Sequence, residues 1–203
     1  MADYHGTAVR TDPVEPTFLT RLEQVRFDSA TFRDNDSWLF MPTLDFSPEA
    51  LVSGQASIGY RSLAARTTGV PDFRGMVANV GLRYSPLPST SIGFGGSRDI
   101  AYSFENDYPY YLLSGANATI SQRIVGAFEV TAQGRLEWLD YRVMEGLSPP
   151  RQDTVTIYGG GLGYRFGDLA RVGLDVEWAE RRSDLPDRVY QGTRIFSSFR
   201  YGF

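Results

Sequence analysis

Apolar and polar side chains alternate along most of this sequence with a period of two residues. In the segment 73–85, Met76 and Val80 alternate with Asn79 and Arg83. Because successive side chains of a β-strand point to opposite faces, such a segment has one apolar face and one polar face. The pattern therefore predicts amphipathic strands.

About ten segments with this pattern follow one another at the regular spacing of an antiparallel meander. The predicted strands are 17–29, 37–46, 51–63, 73–85, 90–103, 110–121, 126–142, 153–166, 170–182 and 189–203. Residues 1–16, which end in a turn flanked by Pro13 and Pro16, predict an irregular segment or the remnant of a preceding strand. We expect one β-barrel domain over 17–203, since all-β domains of this length are often undivided.

The connections between the predicted strands alternate in length and charge. Short turns are predicted at 47–50, 85–89, 121–125 and 166–169, and generally longer, more charged loops at 29–36, 63–72, 103–109, 143–153 and 182–187. Short turns at one end and long loops at the other are typical of an up-and-down transmembrane β-barrel. We therefore predict an all-β, antiparallel fold of this type, whose strands either close alone or form part of a larger barrel.

Aromatic residues collect near both ends of the predicted strands. Near the short turns are Phe46, Tyr84, Phe94, Phe128, Tyr164, Phe166, Tyr201 and Phe203, and near the long loops are Trp38, Tyr60, Tyr102, Tyr110, Trp138, Tyr158, Trp178 and Tyr190. Between the two sets the apolar face is mostly aliphatic, which is typical of the lipid-facing band of an outer-membrane barrel. Alternation alone also fits a soluble β-barrel or sandwich that binds an apolar ligand, and this alternative stays open.

The opposite face carries charges that we predict to line the lumen. They are Arg61, Arg83, Glu129, Arg135, Glu137, Arg165, Asp175, Glu177, Arg194 and Arg200. The acidic residues could bind a cation, but pairing with arginines inside the barrel is the favoured interpretation, because unpaired charges are costly away from water.

Arg98 interrupts the apolar face, because it has the same parity as Ile92 and Phe94. An arginine facing the middle of the membrane costs about 2–4 kcal/mol, and much less near the interface. Either Arg98 lies at the outer rim and contacts lipid head groups, or a β-bulge at Gly95–Gly96 turns it to the other face. The bulge is the favoured interpretation.

The composition excludes several classes of function. With a net charge of −4 and its basic residues scattered among acidic ones, the chain has no basic face for nucleic acid. It has no cysteine for a thiolate nucleophile or metal site. The only histidine, His5, lies in the irregular N-terminal segment, so no Ser-His-acid arrangement is predicted. We expect no catalytic, cofactor or metal site and no enzyme activity.

The last strand resembles that of bacterial outer-membrane β-barrel proteins, since it alternates and ends in aromatic residues. The resemblance implies that Phe199, Tyr201 and Phe203 form the signal read by the barrel-assembly machinery, with the C-terminus on the periplasmic side. No signal peptide is recognisable, so we expect that it has been removed or that the chain is the C-terminal part of a longer protein.

The hairpins at 81–93 and 161–173 resemble those of a family of outer-membrane β-barrel porins from exopolysaccharide-type loci. This implies an integral outer-membrane protein with lipid as a partner, which acts as a passive pore or an export-associated porin for an unknown solute. The alternative is a non-conducting structural or adhesion barrel whose external loops bind partners.

Overall fold

The computed structural model describes residues 14–48, 50–167 and 169–202, which form one antiparallel sheet of ten strands in chain order. The strands are β1 (Val14–Val25), β2 (Asn35–Phe46), β3 (Val52–Ala65), β4 (Phe73–Leu87), β5 (Thr90–Tyr102), β6 (Tyr110–Arg123), β7 (Phe128–Arg142), β8 (Arg151–Phe166), β9 (Ala170–Ser183) and β10 (Tyr190–Tyr201). Each strand pairs with the next in sequence, which confirms the predicted all-β, up-and-down fold. The sheet is open, with β1 and β10 at its two edges.

The first strand differs most from its predicted bounds of 17–29. It ends at Val25, because the chain then turns: the Phe27 N–H donates to Asp34 Oδ1 at 2.8 Å, and the Phe27 ring contacts Tyr102 edge-on. Phe27 thus continues the alternation of apolar and polar residues in the sequence, although it does not lie in a strand. His5 and the other residues before Val14 lie outside the described part of the chain.

The two faces of the sheet differ as the alternation predicts. One face, which we call the outer face, presents large apolar side chains to the surroundings, among them Leu162 and Leu174, which are 66% and 61% exposed. The other face, which we call the polar face, carries the charged residues described below. Exposed apolar area on this scale is a mark of contact with lipid or protein rather than with water.

The sheet has a seam between β4 and β5 near the long loops. The continuous ladder between these strands stops at the pair Ala78 and Arg98, although β4 extends to Phe73 and β5 to Tyr102. Beyond this point β5 stays paired with β6 as far as the pair Tyr102 and Tyr110. The ends of β5 and β6 therefore leave the plane of β4 together.

A buried cluster shows where these ends go. It contains Leu39, Leu63 and Val77, which belong to the polar-face parity of β2, β3 and β4, packed against Tyr110 and Leu112 of β6. By parity, Tyr110 and Leu112 belong to the outer face of β6. The sheet consequently overlaps itself, so that the long-loop end of β5 and β6 lies inside β2–β4.

The polar-face side of the same hairpin end is covered as well. Leu139, Tyr141 and Val155 form a second buried cluster, against which Tyr111 and Leu113 of β6 pack. The interior at the long-loop end is thus closely packed, with an apolar cluster on each side of the hairpin end. Within the described residues, the two short 3₁₀ helices, Thr31–Arg33 and Pro186–Arg188, are neither long nor apolar enough to cross a membrane.

Candidate functional site

The ten charged residues predicted to line a lumen all have the parity of the polar face. Directly opposite residues of neighbouring strands place their side chains on the same face. Arg61 on β3 lies opposite Gly75 on β4, and Glu177 on β9 lies opposite Arg194 on β10. The strand pairs between β4 and β9 keep the same face throughout. The face therefore runs across eight strands, from β3 to β10.

Glu129, Arg165 and Arg171 form a triad at the short-turn end of the polar face. Arg171 Nε on β9 lies 2.7 Å from Glu129 Oε1 on β7, and Arg165 Nε on β8 lies 2.9 Å from Glu129 Oε2. Glu129 and Arg171 are buried, so their charges compensate each other away from bulk water. The triad ties three neighbouring strands together.

Glycines on the polar face of β8 provide the space that this crossing needs. A Cβ at Gly163 would lie 2.6 Å from Arg171 Nε, and one at Gly161 would collide with the carboxylate of Asp175. The run 159–163 thus lets long side chains of β9 lie flat across β8 toward β7, which is a common reason for glycine inside a strand.

Further up the polar face, Glu177 joins β7, β9 and β10. It accepts hydrogen bonds from Gln133 Nε2 at 2.6 Å and from Arg194 Nη2 at 2.7 Å. Asp175 accepts from Ser198 Oγ at 2.9 Å. These carboxylates have hydrogen-bonded partners and are not free to act as a pair.

The remaining predicted lumen charges differ in how closely they are paired. Arg135 lies 3.8 Å from Glu137, at the limit of an ion pair. Arg61 donates to Glu23 Oε2 at 3.0 Å and to Asp99 Oδ2 at 3.2 Å. Within the described part of the chain, Arg83 and Arg200 form no ion pair. Among the described residues, these two guanidinium groups of the polar face near the short turns thus have no carboxylate partner.

A buried charged network at the long-loop end was not found from the sequence. Arg151 and Asp153 are paired through Nε and Oδ1 at 3.0 Å and through Nη2 and Oδ2 at 2.7 Å, and their side chains are 1% and 0% exposed. Arg181 Nε lies 3.0 Å from Asp153 Oδ2, and Ser183 Oγ donates to Asp153. The Arg151 guanidinium lies 4.2 Å from the centre of the Tyr141 ring. The sequence does contain a sign of this network, because the positions of Arg151 and Asp153 in the alternating pattern place both on the polar face.

This network holds the connection between β5 and β6. Arg151 Nη1 donates to both carboxylate oxygens of Glu105, at 2.9 and 3.0 Å, and Arg188 Nη2 lies 3.3 Å from Glu105 Oε1. Tyr108 OH donates to Pro149 O at 3.1 Å. The connection is therefore anchored inside the long-loop end by charge and by hydrogen bonds.

The aromatic residues named for the two girdles divide between two locations. Those that lie on the outer face are Trp38, Phe46, Tyr60, Tyr84, Phe94, Phe128, Trp138, Tyr158, Tyr164, Phe166, Trp178 and Tyr201. Tyr190 was wrongly assigned to the girdle, because it lies opposite Arg181 and has the parity of the polar face. Phe199 lies on the outer face of β10 with Tyr201, and both are largely exposed. Phe203 lies outside the described residues. Tyr102 and Tyr110 were wrongly assigned to the girdle, because the overlap at the seam buries Tyr110 and turns both rings inward.

Arg98 lies on the outer face, so the predicted bulge is wrong. β5 pairs with β4 in unbroken register through Gly95–Gly96, because the two glycines continue the regular ladder. Arg98 Nη1 donates to Ser114 Oγ on β6 at 2.9 Å. Ser114 lies opposite Trp138 on β7, so Arg98 shares a cross-strand row with an aromatic residue of the long-loop set.

A cavity of about 130 Å³ lies on the polar face. Its polar lining comes from Asn117, Thr119, Gln133, Arg135, Glu177 and Arg194. Such a lining offers both donors and acceptors and suits water or a small polar solute. In the described part of the chain no group of three or more histidine, aspartate or glutamate side chains is placed to hold a metal ion.

An up-and-down sheet with one charged face and one aromatic-rimmed apolar face defines a porin-like β-barrel protein. The family described as "putative beta-barrel porin 2" matches residues 14–203. The chain belongs to this family, which confirms the resemblance to β-barrel porins. No curated protein and no solved structure matches the chain. Membership of a porin-like family agrees with an outer-membrane location and with a non-enzymatic role.

Proposed function

We propose that the chain forms the wall of an outer-membrane β-barrel and that this barrel is a passive pore for small hydrophilic solutes. The division of the sheet into two faces supports this proposal most directly. The outer face exposes aliphatic side chains flanked by aromatic ones, whereas the polar face carries arginines and carboxylates. In a transmembrane barrel the first face contacts lipid and the second contacts water.

The open sheet bears on how this barrel is completed. An unpaired strand edge exposes backbone N–H and C=O groups, which lipid cannot satisfy. We therefore propose that β1 and β10 pair in the membrane, either with each other or with further strands. A wider barrel would give a wider channel, since diameter grows with strand number.

The orientation follows the usual arrangement of such barrels. We propose that the short turns face the periplasm and the long loops face outward. Outer-membrane lipid and the barrel-assembly machinery are the partners, and Phe199, Tyr201 and Phe203 are the residues for recognition by that machinery.

The long-loop end is the narrow part of the proposed pore. The connection 103–109 is held inside by Glu105, which is bound to Arg151 and Arg188. The ends of β5 and β6 fill the space between two apolar clusters. Solute passage through this end requires either residual space around the hairpin or its movement, so we expect a small conductance.

Single-channel recording in planar bilayers tests the pore. We expect discrete conductance steps from purified protein that has been shown to be folded by its altered migration on unheated SDS gels. Folded protein that inserts into the bilayer without producing conductance steps would overturn the proposal of a pore.

The second candidate is a non-conducting barrel whose outer loops bind a partner. The buried core at the long-loop end favours it, because a closely packed interior blocks solutes as a plug does. The same recording separates the two functions, since this candidate requires insertion without conductance.

A further inference from the structure

We propose that the outer face holds a binding site for an anionic lipid, with the phosphate group on Arg98 and an acyl chain in the groove beside it. The inference rests on the proposed membrane location but not on the pore. It combines an arginine on an apolar face with a concave apolar surface in the adjoining cross-strand rows.

Arg98 is the polar end of this site. It is exposed on the outer face, and its guanidinium donates a hydrogen bond to the neutral hydroxyl of Ser114. The guanidinium keeps further donors for an oxygen ligand. Its row also contains Trp138, and aromatic girdles lie at the depth of lipid head groups. A phosphate at this depth would neutralise the cation and accept hydrogen bonds from it.

The apolar end is a groove of about 560 Å³ on the outer face. Its lining includes Phe94, Ala116, Ala118, Gly134, Leu136 and Tyr158. In the register, Phe94, Ala118, Gly134 and Tyr158 form one cross-strand row. The small residues in the middle of this row leave a hollow between the two aromatic rings.

The two parts adjoin each other in the correct order for a lipid. The row of Ala116 and Leu136 lies directly beside the row of Arg98 and Ser114, two residues away along each strand. This separation is about 7 Å along a strand. A head group on Arg98 therefore places an acyl chain along the groove toward the short-turn end, which is the direction of the bilayer centre.

Charge favours a lipid over a second copy of the chain. A symmetric interface over this groove would bring two copies of Arg98 close together. On β7, Asp140 lies on the outer face two residues beyond Trp138, and its carboxylate is already paired with Arg142 at 2.8 Å. Glu180, in the outer-face row of Leu136, is likewise paired with Arg182 at 2.7 Å. A phosphate therefore offers Arg98 a negative charge that these carboxylates of a second copy do not.

Native mass spectrometry of the detergent-solubilised chain tests the site with two probes of equal chain length, phosphatidylglycerol and zwitterionic phosphatidylcholine. We expect the wild type to bind phosphatidylglycerol more tightly. Arg98→Gln should weaken this binding roughly fivefold, as the loss of one interfacial arginine predicts, and leave phosphatidylcholine binding unchanged. Ala118→Leu, which fills the groove, should weaken the binding of both lipids.

Arg74→Gln is the matched control, because Arg74 is an exposed outer-face arginine of β4 that does not line the groove. Its lipid binding should equal that of the wild type. Inorganic phosphate should not displace phosphatidylglycerol if the acyl chain contributes. Displacement by phosphate, or equal lipid binding by Arg98→Gln and the wild type, would overturn the lipid site.

Two further outcomes are distinguishable. If the wild type forms dimers that the Ala118→Leu substitution dissociates, while lipid binding does not change, the groove is a contact between copies of the chain and the proposal is overturned. Failure of the wild type to insert into liposomes would count against the membrane location itself, whereas insertion without lipid preference would count against this site alone.

Discussion

Arg171 donates through Nε to Glu129 Oε1 at 2.7 Å although the whole of strand β8 lies between their strands. The contact exists because Gly163 has no side chain to obstruct it. A buried ion pair that crosses a strand requires two conditions: opposite charges on the outer two strands, and a residue without a side chain on the strand between them. Both conditions can be altered separately.

Gly163→Ala should destabilise the sheet by about 1–3 kcal/mol, because the new methyl group displaces Arg171 and weakens a charged hydrogen bond. Gly81→Ala is the control, since a Cβ at Gly81, also on the polar face, meets nothing within 4 Å. The control should be neutral or up to ~1 kcal/mol more stable. Urea unfolding in detergent micelles, followed by tryptophan fluorescence, measures both. Equal stability of the two variants would show that the contact of Arg171 with Glu129 does not depend on the absence of a side chain at Gly163.

Asp153→Asn should be among the most destabilising single changes in the chain, at about 3–5 kcal/mol, because it leaves Arg151 and Arg181 without their shared buried carboxylate. Asp187→Asn should change the unfolding free energy by less than about 1 kcal/mol, since the Asp187 side chain is 73% exposed and its ion pair with Arg188 is weak. The same urea titration compares them. A small effect at Asp153 would mean that water reaches the network.

Glu105→Gln should raise the conductance or the open probability of the pore. The change removes the negative charge that holds the connection 103–109 to Arg151 and Arg188, so the hairpin end should leave the long-loop mouth more often. Glu145→Gln removes an exposed charge from the neighbouring connection and should leave the recordings unchanged. Identical recordings for both variants would argue against the hairpin end as the narrow part of the pore.

Tryptophan fluorescence should report contact with lipid, because Trp38, Trp138 and Trp178 are the three tryptophans of the chain and all have outer-face parity. In liposomes, lipids brominated near the head group should quench the fluorescence more strongly than lipids brominated near the bilayer centre. Acrylamide in the aqueous phase should quench it weakly. Strong quenching by acrylamide with none by brominated lipid would favour the soluble barrel.

Much of the candidate site could be predicted because strand alternation is a local property. The polar-face parity of Glu129, Arg165 and Glu177 follows from their positions within amphipathic segments, without knowledge of their partners. The pairing itself could not be predicted in detail. The contact of Arg171 could not be predicted at all, since a charged residue near a short turn gives no local sign that it reaches a carboxylate two strands away.

The position of Arg98 shows a similar limit. Parity placed it on the apolar face, and the cost of a buried charge argued for a bulge that would remove it. The regular pairing of Gly95–Gly96 and the common row with Trp138 place it instead on the outer face beside an aromatic girdle residue. The sequence contains the conflict, but the depth of the residue depends on its cross-strand neighbours.

The sequence by itself determined the strands, their order and the character of their two faces, because a period of two and the lengths of connections are encoded locally. Only the tertiary structure decided what becomes of the long-loop end. Tyr110 and Leu112 have outer-face parity, yet they are buried against Leu39 and Leu63, since the β4–β5 ladder ends at Arg98 and the sheet overlaps itself there. Where a ladder ends depends on the packing of segments far apart in the chain, and no local alternation specifies that.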